Sequence, residues 1–185
     1  LFLFFVLKMQ CSPLKRPLES CVDAKEAKKL RTDTGTWNKH QDSLLWKAYN
    51  RQTWQAHLPI YAFDLDSMIA TKSGKKYPTS RGDWQWKQSV VPANLRNHHK
   101  EGKQVLVFTN QSGITSKGWK QDKADEVCGR IDDISSDLGI PILVFAAARD
   151  DCFRKPATAM WDFMTGMLEG GAVLDLGQCL YVGAE

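Results

Sequence analysis

The sequence predicts an α/β fold, a parallel sheet with helices on both faces, and three observations predict it. Four short, nearly unbroken apolar runs, "IYAFDLD", "QVLVFTN", "PILVFAA" and "CLYVG", recur across the second two thirds of the chain. Stretches with helical spacing and helical stop signals separate them. Polar, reactive residue types follow each of the first three runs, as in sheets whose chemistry lies beyond the carboxyl ends of the strands.

The elements follow in chain order. Residues 1–8, "LFLFFVLK", are apolar, but the run is too short to cross a bilayer and has neither a basic leader nor a cleavage motif. Met9 follows directly, so upstream translation or a fragment edge is expected, with a truncated secretory signal as the alternative. Residues 9–35 are polar and charged without an apolar period and are expected to form a disordered basic tail. Within it, Lys15 and Arg16, then Lys28, Lys29 and Arg31, form two basic clusters eleven residues apart. Import receptors read such pairs as a bipartite nuclear address, so the nucleus is the expected compartment and an import receptor an expected partner. The alternative is a merely solvated tail. Residues 36–58, with Trp37, Trp46 and Trp54, are expected to give a short helix and an irregular lead-in, the tryptophans packing on the domain. This divides the chain into a tail and lead-in over 1–56 and a folded domain over 57–185.

The first strand is expected from residue 59 onward. "PANLRNHHKE", 92–101, reads as a helix with Pro92 in its first turn and Gly102 past its end. A second helix is expected over 120–138, ending before Gly139, and a third over 156–169. The net charge of +4 resides in the tail: residues 1–56 hold ten Lys and Arg against five Asp and Glu, and residues 57–185 hold fifteen against sixteen. A polyanion bound by the folded part must therefore meet local patches. Five scattered cysteines, none in a CxxC pair, argue against a disulfide framework or zinc site and for a reducing interior. No membrane association is expected, and a monomer is.

Three segments hold the chemistry. Asp64 and Asp66 stand at the end of the first strand, where residues i and i+2 of an extended chain project to the same side. Two acids this close repel, so they need a cation, a shared proton or open water. They suit metal binding by one and proton transfer by the other, or attack by Asp64 with Asp66 as acid and base. "FTNQSG", 108–113, offers the Thr109 hydroxyl and the backbone N–H groups of a turn to an anionic oxygen. "CFRKPATAMW", 152–161, puts Lys155 before Pro156 at a helix start, where a cation opposes the helix dipole and a bound anion would relieve the conflict. Singly, each is more often a solvated loop feature; in this order after successive strands they are the parts of a phosphoryl-transfer site.

At this point the sequence resembles the haloacid dehalogenase-like (HAD-like) phosphohydrolases. Within them, "FDLDSM…SGKKYPTSRGDW", "VFTNQSGI" and "FRKPATAMW" look like the 3′-phosphatase domain of polynucleotide kinase/3′-phosphatases, over residues 59–185. The resemblance implies that Asp64 is the nucleophile of an aspartyl-phosphate route and Asp66 the general acid, then base. It implies that Thr109 and Asn110 hold phosphate oxygens and that Lys155 bridges phosphate and nucleophile. It brings Mg2+, held by Asp64, by Asp66 through its carbonyl and by a later acid. It also brings DNA 3′-phosphate ends as substrate, met during strand-break repair, with Lys72, Lys75, Lys76 and Arg81 contacting DNA beside Trp84 and Trp86. The 42 residues between Asp66 and Thr109 leave little room for a cap domain, which suits a polymeric substrate.

The chain departs from the family pattern in three ways. Ser67 and Met68 stand where the family has Gly-Thr, removing a pocket hydroxyl. Ala184 stands where the metal-assisting acid belongs; Asp175 precedes the last strand, and Asp150 and Asp151 serve only if their loop bends inward. No GxxxxGK[ST] phosphate loop occurs. A fragment cut in its last motif is therefore expected, or a degenerate protein. A small-metabolite phosphatase on the same fold and a catalytically impaired DNA-end binder are the alternative functions.

Overall fold

The computed structural model describes residues 6–7, 35–50, 54–168 and 174–183. In chain order these form β1 (Val6–Leu7), β2 (Asn38–His40), β3 (Leu44–Tyr49), β4 (Ile60–Phe63), α1 (Leu65–Met68), β5 (Ile69–Ala70) and β6 (Gln85–Trp86). They continue with α2 (Val90–Lys100), β7 (Gln104–Asn110), α3 (Gln121–Leu138), β8 (Ile142–Ala147), α4 (Ala159–Thr165) and β9 (Leu180–Val182). Both basic clusters of the expected tail lie outside the described residues.

The apolar runs become central strands because side chains alternate across a sheet and these strands are apolar on both sides. On β7, Leu106 and Phe108 enter the core beneath α4, while Val105 and Val107 enter the one beneath α2 and α3. On β8 the same alternation sends Leu143 and Phe145 one way and Ile142 and Val144 the other. Phe163 of α4 closes the first core against Phe145 and Trp46. Leu95 of α2 and Val127, Ile131 and Ile134 of α3 close the second. Each such side chain, fully buried, contributes roughly 1.5–3 kcal/mol. α3 stops where Gly139, at φ 71°, takes a left-handed conformation and returns its N–H to the Ser135 carbonyl.

The large sheet runs β1-β9-β4-β7-β8-β3-β2. β9, β4, β7 and β8 are mutually parallel, which brings the carboxyl ends of four strands to one edge. β1 pairs antiparallel with β9 at one side, and β3 pairs antiparallel with β8 at the other. The sheet is thus parallel at its centre and antiparallel at its margins.

Three expectations are corrected. Among the described residues of 36–58 there is no helix but the β2–β3 hairpin, turned through Gln41 at φ 50°. Leu44, Leu45 and Trp46 are all buried, because a strand inside the sheet can hide consecutive apolar residues on both faces. The hairpin is tied to α3 by Asp132, which accepts from Trp37 Nε1 (3.1 Å), Lys47 Nζ (2.8 Å) and Tyr49 Oη (2.6 Å). β4 ends at Phe63 rather than running through Asp66, and α4 begins at Ala159 rather than 156. Among the described residues, no helix is long and apolar enough to cross a membrane.

Candidate active site

Asp64 is the first residue past β4, and it stays extended before the chain turns into α1. Its N–H donates to the Val182 carbonyl at 2.8 Å, which ties it to the end of β9. The residue is 8% exposed. A buried carboxylate needs a partner, and Lys155 supplies one: Nζ donates to Asp64 Oδ1 at 2.5 Å. The same ammonium donates to the Phe108 carbonyl and to Tyr181 Oη, both at 2.8 Å. All three of its protons therefore have protein acceptors.

Lys155 is held by its backbone as well. Asn110 Nδ2 donates to the Lys155 carbonyl (3.1 Å), and the Lys155 N–H donates to Asn110 Oδ1 (2.9 Å). Both polar ends of the Asn110 amide are thus engaged in setting the height of the lysine. The side chain of Asn110, expected from the sequence at the phosphate, anchors the Lys155 backbone. Lys155 itself lies four residues before α4, with its ammonium turned to Asp64, so the expected conflict with a helix dipole does not arise. Thr109 stands at the same strand edge, fully buried, and its hydroxyl accepts from Gln111 Nε2 at 2.9 Å.

Asp66 occupies the first turn of α1 and is not related to Asp64 by strand alternation. It remains solvent-exposed, but loss of hydration raises its pKa, and the neighbouring charge of Asp64 raises it further. Lys155, Arg130 and Lys87 oppose the rise. Its backbone carbonyl accepts from Lys87 Nζ at 3.3 Å. Met68, at the position where a pocket hydroxyl was missed, is buried in the apolar cluster with Leu65 and Leu95.

The lysine-rich segment after α1 is an ordered loop between β5 and β6, which pair Ile69 with Trp86 and Ala70 with Gln85. Asp83 organises it. One carboxylate accepts from Ser73 N (2.8 Å), Ser73 Oγ (2.7 Å), Thr79 N (2.9 Å) and Thr79 Oγ1 (3.0 Å). These bonds, the backbone N–H of Thr79 foremost, hold the Asp83 carboxyl well below the usual range. Lys72, Lys75 and Lys76 are exposed and have no ion pair among the described residues. Arg81 differs: its guanidinium meets Asp133 of α3 with Nε–Oδ2 2.7 Å and Nη2–Oδ1 2.5 Å, and lies against Gly129. Arg81 therefore fastens the loop to α3, a contact that its three lysine neighbours do not make. Trp86 Nε1 does the same through Asp137 (2.7 Å), and Arg130 Nη2 through the Ser80 carbonyl (3.1 Å).

The chemistry of the donors admits a hard cation. The Asp64 carboxylate and the Asp66 carbonyl are each already faced by an ammonium, from Lys155 and Lys87 respectively. Among the described residues no cluster of three or more acids, cysteines or histidines forms a cage. The Asp64 carboxylate and the Asp66 carbonyl are oxygen donors of the kind a hard cation such as Mg2+ takes, one or two carboxylates with several retained waters. Asp150 contacts Arg154 Nε (3.2 Å) and Asp151 accepts from the Phe153 N–H (3.0 Å), and among the described residues neither joins Asp64 and Asp66 in a cluster of three. Ala184 lies outside the described residues.

Sequence reasoning missed Lys87 and Tyr181. Lys87 follows a tryptophan-rich loop in which nothing marks one lysine above the others. Tyr181 lies within an apolar strand, where an aromatic residue signals only packing.

Comparison with known proteins follows the same lines. The family model described as polynucleotide kinase 3 phosphatase matches residues 59–185. The chain is 30% identical over 135 residues to the polynucleotide 3′-phosphatase ZDP of Arabidopsis thaliana, a match covering 67% of this chain and 19% of that protein. It is 33% identical over 123 residues to the bifunctional polynucleotide phosphatase/kinase of Schizosaccharomyces pombe, covering 66% of this chain and 29% of that protein. The chain thus spans less than a third of the length of either relative. A HAD-like phosphatase structure from Mesorhizobium loti aligns at a TM-score of 0.58 and 20% identity, over 72% of this chain and 69% of that one. This likeness shows a HAD-like fold.

Proposed function

The chain belongs to the polynucleotide kinase 3′-phosphatase family, and on that premise we propose that it removes the phosphate from DNA 3′ ends. The single observation that carries the reading is the Lys155–Asp64 contact at the carboxyl edge of the parallel strands. It joins a buried nucleophile to a cation that can follow charge onto the phosphoryl group.

In this reading an Asp64 oxygen attacks phosphorus while the bond from phosphorus to the 3′ oxygen breaks. Asp66, whose raised pKa favours the protonated form, gives its proton to the departing oxygen. Asp66 then takes a proton from water, which attacks the aspartyl-phosphate, releases inorganic phosphate and restores Asp64. The Thr109 hydroxyl, turning from Gln111, holds a phosphate oxygen. Asn110 keeps Lys155 at the height the reaction needs. Mg2+, with the Asp64 carboxylate and the Asp66 carbonyl among its donors, supplies charge neutralisation when bound. Lys72, Lys75 and Lys76 contact the phosphates of the strand leading to the end. The chain acts as a monomer in strand-break repair. Lys15, Arg16, Lys28, Lys29 and Arg31 address it to the nucleus; a fluorescent fusion excluded from nuclei would remove that assignment.

Phosphate release from a 3′-phosphorylated oligonucleotide with Mg2+ tests the function, and Asp64→Asn is expected to lower it about a thousandfold or more. Release that survives Asp64→Asn, or a clear preference for sugar phosphates, defeats the proposal. A second reading, an end-binding protein with little turnover, is favoured by Ala184 and by the lack of a third acid among the described residues. Under it Ala184→Asp raises turnover about a hundredfold with end affinity unchanged.

A further inference from the structure

The Tyr181 hydroxyl has a proton that no acceptor among the described residues takes. Lys155 Nζ is a donor only, so at 2.8 Å Tyr181 Oη must be the acceptor of that bond. The phenol keeps its own O–H proton, and among the described residues no acceptor receives it. Tyr181 and Asp64 both contact the same nitrogen, so the two oxygens are separated by no more than the span of one ammonium. The absence of a side chain at Gly183 permits the position of the ring. It folds back over Gly183, where an added Cβ would come within 2.6–2.8 Å of its Cε1, Oη and Cζ atoms. Any larger residue at 183 would drive the hydroxyl away from Lys155. The ring also rests on the core beneath α4, on the same side of the sheet as Phe108, whose carbonyl shares the ammonium.

Lys155 itself has no proton left for an incoming anion, because Asp64, Phe108 and Tyr181 take all three. The phenol proton beside that ammonium is therefore a donor available to an anion at Asp64. We propose that Tyr181 is a further phosphate-binding residue of this site, donating its O–H to a non-bridging phosphoryl oxygen while it accepts from Lys155. Its hydroxyl thereby extends the charge of the ammonium onto the substrate without the ammonium leaving Asp64. This inference rests on the phosphatase reading above and adds a residue to it.

The test compares wild type with Tyr181→Phe, which deletes one oxygen and keeps the ring against Gly183. Orthovanadate and inorganic phosphate, each with Mg2+, are titrated calorimetrically into the full chain, and thermal melting is followed in parallel. Tyr181→Phe is expected to bind orthovanadate about tenfold more weakly, the scale of one hydrogen bond to a charged group, with its melting temperature little changed. Tyr49→Phe, which removes a phenol oxygen on the hairpin, is expected to leave anion affinity alone. Unchanged vanadate affinity in Tyr181→Phe overturns the proposal, as does a loss confined to melting temperature, and as does a wild type that binds neither anion. If wild type binds the anions but releases no phosphate from a 3′-phosphorylated end, the functional reading fails while the affinity ratio still decides the role of Tyr181.

Discussion

The strand edge and the lysine loop are both built around one buried carboxylate, and they achieve it by opposite means. Asp83 is satisfied by residues four and ten positions away, so the loop closes on itself. Asp64 is satisfied by Lys155, 91 positions away, and that lysine is in turn gripped by Phe108 and Asn110 of β7 and Tyr181 of β9. A locally satisfied carboxylate shapes a segment whose side chains remain free to meet a ligand. A remotely satisfied one exists only once the sheet has formed, so its geometry is as rigid as the sheet and as vulnerable to any strand that positions a partner.

The largest effect that separates the two regions is expected at Asn110. Asn110→Ala removes both bonds to the Lys155 backbone without touching Asp64. Turnover on a 3′-phosphorylated oligonucleotide should fall about a hundredfold, the cost of a small misplacement at a reacting centre, with the far-UV circular dichroism unchanged. If turnover holds, Lys155 is positioned by its ammonium contacts alone.

Asp83→Ala breaks the loop instead. It is expected to lower the melting temperature by about 5 °C or more and to raise KM for the oligonucleotide with kcat nearly intact. The sign of its pH dependence follows from its depressed pKa. The stability it contributes is complete above the ordinary Asp value of about 3.9 and disappears as pH falls through the lower folded value. The gap in melting temperature between wild type and variant should therefore be widest above about pH 4 and close on further acidification, which a series of melts will show.

A smaller change is expected when Lys72, Lys75 and Lys76 are all replaced by Ala. KM should rise at low salt with kcat the same. The dependence of log affinity on log salt should flatten by about 0.7 for each phosphate of a single strand that the three lysines neutralise. A slope that does not move removes the loop from the DNA path. Arg81→Ala sharpens the same contrast from the other side. Its pair with Asp133 is largely exposed, so the melting temperature should shift by about 2 °C or less, and the salt slope should stay as in wild type.

Much of the fold was legible in the residues because the central strands are apolar on both faces and each ends in a change of composition. The edge hairpin was not. "LLWKAY" has no alternation that distinguishes a strand covered on both sides from a short buried helix, and its identity as a strand depends on β8 lying beside it. At the site, Asp64, Thr109 and Lys155 could be named from their places after successive strands. The anchoring role of Asn110 could not, because its amide contacts backbone 45 positions further along. Arg81 looked like its lysine neighbours in the sequence, and only the approach of α3, with Asp133 beside Gly129, separated it from them.

The sequence by itself determined the α/β class, the three reactive segments at strand ends and the family to which they belong. All of these follow from local composition and from the order of residue types along the chain. Tertiary structure decided that Asp64 meets Lys155, that Tyr181 and Asn110 hold that lysine, and that Arg81 fastens a loop. Those pairings depend on the register between strands that are distant in sequence, and a hydrogen bond a few ångströms long cannot be read from residues that only the folded sheet brings together.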